Sequence, residues 1–188
     1  MKWILIVLSF VVVLFLSFQV YWSSVTSDIE EYPHELVKDF GAFAIRKYDP
    51  RLFIAVPMKS TVFEESSKEG FSMLAGYIFG ANNKQKKISM TSPVSISLQD
   101  TMVMMFMVPK DYTRDNLPKP NLDQIVFRDE IARKVAVVSF GGWADSEKVG
   151  IHKKILIEAL KSHSIPHTDK FYFLGYNPPF ELFNRKNE

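Results

Sequence analysis

Apolar and polar residues alternate over residues 88–98. The apolar positions are Ile88, Met90, Val94, Ile96 and Leu98. This period of two is typical of a strand with one buried face. Pro93 interrupts the run and cannot donate a ladder hydrogen bond, so the sequence predicts an edge strand or a bulge at that point.

Two other segments carry the 3.6-residue period of amphipathic helices. The first helix is best begun at Ser66, because Ser66 and Glu69 have the spacing of a capping box. The second helix begins near Asp145, a good N-cap, and runs to about His163. The predicted inner faces are Ser67, Phe71, Leu74, Ala75 and Ile78 in the first helix, and Val149, His152, Leu156, Ala159 and Leu160 in the second.

The predicted strands arrange themselves around these helices in two similar halves. Strand-like runs lie at residues 36–40, 43–48, 52–56, 88–98 and 102–108 in the first half, and at 125–128, 135–140, 170–175 and 180–183 in the second. In each half, the predicted order of elements is strands, then one helix, then further strands. The pattern predicts an α+β domain built by duplication, with both helices packed on a curved antiparallel sheet.

The N-terminal residues 3–22 contain no charged side chain. This length spans a hydrocarbon core of roughly 30 Å as a helix, and Trp3, Tyr21 and Trp22 occupy its two ends, where interfacial aromatics belong. The sequence predicts a membrane anchor over residues 1–24, a linker over 25–34 and a domain over 35–188. A cleaved signal peptide is the alternative, although no small-residue cleavage site follows.

Charge and composition limit the choice of function. Lys2 precedes the apolar segment and acidic residues follow it, which favours a domain on the non-cytoplasmic side, periplasmic or extracellular. A net charge of +2 gives no reason to expect a nucleic-acid partner. The absence of cysteine excludes disulfides and thiolate metal sites. His152 is interpreted first as a hydrogen-bonded core or rim histidine rather than as a ligand.

Several motifs in order resemble the SOUL / heme-binding protein family. They are FAIRKYDPR at 43–51, LAGYIFG at 74–80, KISMTSPVSI at 87–96, LPKPN at 117–121 with IVFRDEIARKVAVVSFGGW at 125–143, and GYNPPFELFNRKNE at 175–188. The resemblance implies a distorted antiparallel β-barrel of two similar halves flanked by two helices. It also implies non-catalytic binding of heme or another tetrapyrrole in an apolar groove beside the first helix.

The candidate ligand-binding residues follow from this resemblance and from the chemistry of a flat, acidic ligand. Soft apolar side chains suit its plane and lysines suit its carboxylates. The predicted residues are Lys47, Phe71, Leu74, Tyr77, Ile78, Lys84, Lys86, Lys87 and Met90. Lys47 stands where some relatives have a histidine proposed as axial ligand. Heme is then expected to be held by apolar contact and propionate pairing, or by an unidentified ligand, Met or Tyr included.

Three alternatives remain open from the sequence. The basic turn that carries Lys84, Lys86 and Lys87 could be a solvated surface with no ligand. The domain could carry a different amphipathic molecule in the same groove. It could also be a hydrolytic or ligand-modifying enzyme, which rests on fold analogy alone.

Overall fold

The computed structural model describes residues 3–4, 6–7, 9–15, 17, 29–60, 62–177 and 185–188. The described residues up to Ser17 are helical, whereas 18–22 of the predicted anchor lie outside the described residues. Within the described ranges, no helix is both long enough and apolar enough to cross a membrane. The chain divides into two compact units, residues 1–30 and 31–188.

The second unit is a mixed α+β structure, as predicted. Its helices are α1 (Phe63–Ile78) and α2 (Ser146–Ser162). The strands of the chain are β1 (Glu30–Glu31), β2 (His34–Asp39), β3 (Ala44–Tyr48), β4 (Arg51–Pro57), β5 (Thr91–Ser92), β6 (Val94–Ser97), β7 (Val103–Met107), β8 (Val126–Glu130), β9 (Arg133–Val137), β10 (Phe140–Gly141), β11 (Tyr172–Gly175) and β12 (Lys186–Asn187). Strand β1 lies within the segment predicted as a linker, and the predicted strand 180–183 lies outside the described residues.

The strands form separate sheets rather than the closed barrel that the resemblance implied. One sheet has seven strands in the order β10-β12-β11-β6-β7-β4-β8, another has the order β2-β3-β9, and β1 pairs with β5. The chain passes between the two larger sheets at three short connections: residues 49–50 between β3 and β4, 131–132 between β8 and β9, and 138–139 between β9 and β10. The prediction of a closed barrel was wrong. Strand β3 does not pair with β4, and β9 does not pair with β8, so the small and large sheets are not joined at these points.

The alternating segment around Pro93 is broken, as its proline predicted, but it does not lie at an edge. The break separates β5 from β6. Strand β6 then pairs with β11 on one side and β7 on the other. A central position is compatible with Pro93 because the proline falls between the two strands, where no ladder hydrogen bond is required of it.

The start of α1 differs from the prediction, and that of α2 agrees with it. Ser66 lies one turn inside α1 and is buried, and its hydroxyl donates to the carbonyl of Ser60 at 2.6 Å. Ser66 therefore does not cap the helix, which begins at Phe63. Asp145 does cap α2: its carboxylate accepts from the backbone N–H of Lys148 at 2.7 Å. The α2 bounds were predicted within one residue.

The two helices cover their sheets to different extents. Helix α1 buries seven residues, whereas α2 buries Leu160 alone. Ile54, Val56, Met104 and Phe106 of the large sheet pack with the buried face of α1 in the main hydrophobic core. The two helix starts are joined where Glu64 of α1 accepts two 2.7 Å hydrogen bonds from the N–H and hydroxyl of Ser146. Because α2 buries so few side chains, it packs less closely on the sheet beneath it than α1 does.

Candidate functional site

A cavity of about 600 Å³ lies beneath α2. This volume lies within the range of small-molecule sites, roughly 300–1,000 Å³. The helix contributes Val149, His152, Leu156 and Leu160 to the wall. Because these positions recur at intervals of three and four residues, they fall on one helical face. That face is the one the sequence predicted, apart from Ala159.

The opposite wall is built by strands of the small sheet and by β11. Ile45 of β3 stands opposite Lys38 of β2 on one side and opposite Ala136 of β9 on the other. Directly paired residues project to the same face of a sheet, and all three line the cavity. Phe173 of β11 adds an aromatic surface. The interior of the cavity is therefore largely apolar.

Charged side chains around the cavity are mostly positive. Among the described lining residues, the cations are Lys38, Arg133, Lys134, Lys153 and Lys170, and the one carboxylate is that of Glu188. Lys38, Lys134 and Lys170 are exposed, whereas Arg133 is paired with Glu130 at 3.1 Å. Over the described ranges, Lys134 and Lys170 have no ion-pair partner. The cavity can therefore accept an apolar body that carries acidic groups at its edge.

Glu188 does not neutralise these cations, because other groups already engage it. Its carboxylate accepts from Arg46 at 2.6 Å, from the Tyr176 hydroxyl at 2.7 Å and from the Ser139 hydroxyl at 3.1 Å. Burial opposes ionisation, but the hydrogen bonds from Tyr176 and Arg46 outweigh it and hold the pKa of Glu188 below its ordinary value. This cluster anchors the end of the described chain to β3.

His152 is held in a defined orientation in the cavity wall. Its Nδ1 lies 2.8 Å from the carbonyl oxygen of Lys148, one turn earlier in α2. Its ring stacks on Phe140, with centroids 4.1 Å apart and planes 16° from parallel. His152 is therefore a partly buried, hydrogen-bonded residue of the cavity wall. Across the described chain, no cluster of three or more His, Asp or Glu side chains could hold a metal ion by itself.

Tyrosines near the core are poorly suited to ligate a metal as phenolates. Burial raises the pKa of Tyr32, which lines the cavity, to about 12. Burial likewise raises the pKa of Tyr77 to about 12, and its hydroxyl donates to the carbonyl of Pro118 at 2.8 Å. A phenolate ligand would have to overcome both the burial and, for Tyr77, the loss of that hydrogen bond.

Among the sequence-predicted residues, Lys47 lies nearest to the cavity. It is exposed on β3, directly opposite Lys134, and strand alternation puts it on the same face as Ile45. Lys134 and Ile45 both line the cavity, whereas Lys47 does not. Lys47 therefore stands beside the cavity wall without forming part of it.

The other eight predicted residues lie around α1, away from this cavity. Leu74, Tyr77 and Ile78 are at most 3% exposed and belong to the main core, and Phe71 and Met90 pack against that core. Lys84, Lys86 and Lys87 are exposed. The basic turn they occupy is organised by Asn82, whose side chain accepts from the N–H groups of Lys84 and Lys86. Ligand binding by these eight residues stays a prediction.

The sequence reasoning did not select the residues that line the cavity. Arg133 and Lys134 lie within the quoted motif at 125–143, and an alternating strand with cations at one end was a usable signal. Lys38, Lys153 and Lys170 come from three separate elements. Their convergence depends on β3 pairing with β9, which no local pattern reveals.

The fold thus places a largely apolar, cation-lined cavity of small-molecule size beneath α2. The chain belongs to the SOUL heme-binding protein family, which matches residues 29–188. SOUL heme-binding proteins are binding proteins rather than enzymes, in agreement with the non-catalytic prediction.

Curated relatives agree with this assignment. Heme-binding protein 1 of Xenopus laevis is 32% identical over 159 residues, covering 80% of this chain and 83% of the relative. Heme-binding protein 2 of Homo sapiens is 29% identical over 157 residues, covering 79% and 76%. The crystal structure of the EcmrR C-terminal domain has a TM-score of 0.60 at 11% identity, covering 77% of this chain and 92% of that one. The last comparison shows a shared fold.

Proposed function

We propose that this chain is a non-catalytic carrier of heme or a related tetrapyrrole, which it holds in the cavity beneath α2. The observation that supports this best is the combination of an apolar volume of about 600 Å³ with five surrounding cations in a member of the SOUL family. The apolar wall would cover the porphyrin plane, and the exposed lysines would pair with its carboxylates. Bound heme would add an iron centre able to take axial ligands.

We also propose that the carrier is tethered to a membrane by residues 3–22, with the domain on the non-cytoplasmic side. Supporting this, the described residues of the segment are helical and leave large apolar side chains exposed, among them Trp3, Phe10 and Leu14. If the tether exists, full-length protein should resist carbonate extraction of membranes and retain its first residues. A mature protein that begins near residue 23 would instead indicate an exported domain.

The ligand is tested by titrating full-length protein in mild detergent with hemin and with metal-free protoporphyrin, with protein-free micelles as the blank. Saturable binding of either compound at micromolar concentration is expected. A carrier for a different amphipathic anion would bind neither tetrapyrrole but would bind a long-chain carboxylate probe. That second candidate is supported by the same surrounding cations.

The position of the site is tested by two charge-removing variants. Changing Lys134 and Lys170 to Gln should weaken hemin binding about two- to thirtyfold, since each of the two exposed charge pairs contributes roughly 0.2–1 kcal/mol. The matched control changes Lys84, Lys86 and Lys87 to Gln in the basic turn. If the control weakens binding and the cavity variant does not, the ligand lies beside α1, as the sequence predicted.

A further inference from the structure

We infer that His152 is the axial ligand through which this chain binds the iron of heme, with Nε2 as the donor atom. The inference rests on the proposed tetrapyrrole site and concerns what the cavity wall adds to it. The predicted binding residue Lys47 does not line the cavity. The cavity wall does contain two histidines, His152 and His167.

The hydrogen bond at Nδ1 determines the tautomer of the His152 ring. A backbone carbonyl oxygen can only accept, so the 2.8 Å contact between Nδ1 and the carbonyl of Lys148 requires Nδ1 to carry the hydrogen. The neutral ring then has its lone pair on Nε2. Among the described residues, no hydrogen bond to Nε2 occupies that lone pair. Metal-bound histidines generally have this arrangement, in which the second nitrogen donates to a carbonyl or carboxylate.

The His152 ring lies in the cavity wall and is held rigidly there. His152 lines the apolar cavity, as does Phe140, on which its ring is stacked. The stacking and the Nδ1 hydrogen bond together fix the ring, so little side-chain entropy remains to be lost when a metal binds. The surrounding cations are placed for carboxylates and do not compete for iron. One fixed imidazole is what a planar tetrapyrrole needs, because the macrocycle supplies the other nitrogen ligands.

The other candidates in this part of the chain are less suitable. Burial holds Tyr32 in its protonated form. His167 lines the cavity but is exposed, and its Nδ1 has only a long contact of 3.4 Å with the carbonyl of Ile165. His163 makes the same kind of bond as His152, from Nδ1 to the carbonyl one turn earlier at 2.9 Å, yet it does not line the cavity. His163 is therefore a matched control.

The test compares full-length wild type, His152→Ala, His152→Gln and His163→Ala, each titrated with hemin and with metal-free protoporphyrin. Wild type should bind hemin at least tenfold more tightly than protoporphyrin. Both His152 variants should lose this preference while binding protoporphyrin within about twofold of wild type. Added imidazole should restore the wild-type Soret band in His152→Ala, and His163→Ala should behave as wild type.

The outcomes separate this inference from the proposed function. If wild type binds both compounds equally and the His152 variants leave the Soret band unchanged, tetrapyrrole binding stands and the ligand role of His152 is wrong. If wild type binds neither compound, the proposed function itself fails. His152→Gln retains a polar side chain of similar length, and far-UV circular dichroism of every variant identifies a loss of fold. Loss of protoporphyrin binding in a folded His152 variant would indicate a packing role and overturn the inference.

Discussion

Truncating a leucine to alanine should lower the free energy of unfolding much more in α1 than in α2. Leu74 of α1 is fully buried in the main core, and Leu156 of α2 is half-buried in the cavity wall. Leu74→Ala removes three carbon groups worth about 0.8 kcal/mol each and leaves a new void. Its total cost should be about 3–4 kcal/mol, within the usual range for such changes.

Leu156→Ala should cost only about 1 kcal/mol. The side chain is already partly solvated, so the lost transfer free energy is about half as large, and its removal enlarges an existing cavity instead of creating one. Urea unfolding of the full-length variants, followed by far-UV circular dichroism, measures both values. Equal losses for the two variants would refute the reasoning, because they would mean that α2 packs on its sheet as closely as α1 does.

Three further predictions concern stability. Glu188→Gln should cost about 2–3 kcal/mol at pH 7. Because the folded pKa of Glu188 is lowered, the advantage of wild type is present at neutral pH and lost as pH falls through the folded pKa. The stabilities of the two proteins in urea should therefore converge in acid, below the ordinary titration range of a glutamate; a constant gap would contradict this. Asn82→Ala removes a buried side chain with four backbone hydrogen bonds and should cost about 2–3 kcal/mol by thermal denaturation. Asp145→Ala removes the α2 cap and should cost about 1 kcal/mol, whereas Asp145→Asn should cost little.

Local signals in the sequence predicted the elements well. The N-cap at Asp145 and the apolar face of α2 each depend on neighbouring residues, and each agrees with the structure. The alternation in 88–98 predicted the strand only in part, because strand is confined to β5 and β6 and the polar positions Thr91, Ser95 and Ser97 are buried. The start of α1 was misplaced because Ser66 satisfies its hydroxyl through Ser60. A capping-box spacing cannot distinguish a capping serine from a serine on the buried face.

The site was harder to predict because it depends on how closely each helix packs. Both helices have an apolar face, and the sequence gives no measure of the space beneath it. The resemblance implied a site beside α1, but the apolar face of α1 packs within the main core. One wall of the cavity beneath α2 is formed where Lys38, Ile45 and Ala136 lie in one row, because β3 pairs with its neighbour β2 and with the distant strand β9.

The pairing of strands across the chain has a consequence for biosynthesis. Strand β3 pairs with β9, β4 with β8, and β6 with β11, so the larger sheets draw on both halves of the sequence. Neither half has a complete set of hydrogen-bonding partners by itself. The larger sheets therefore cannot form until the later strands have been synthesised. Such long-range pairing also slows folding. Until synthesis is complete, the first half exposes unpaired strands, which is the condition under which chaperones are needed.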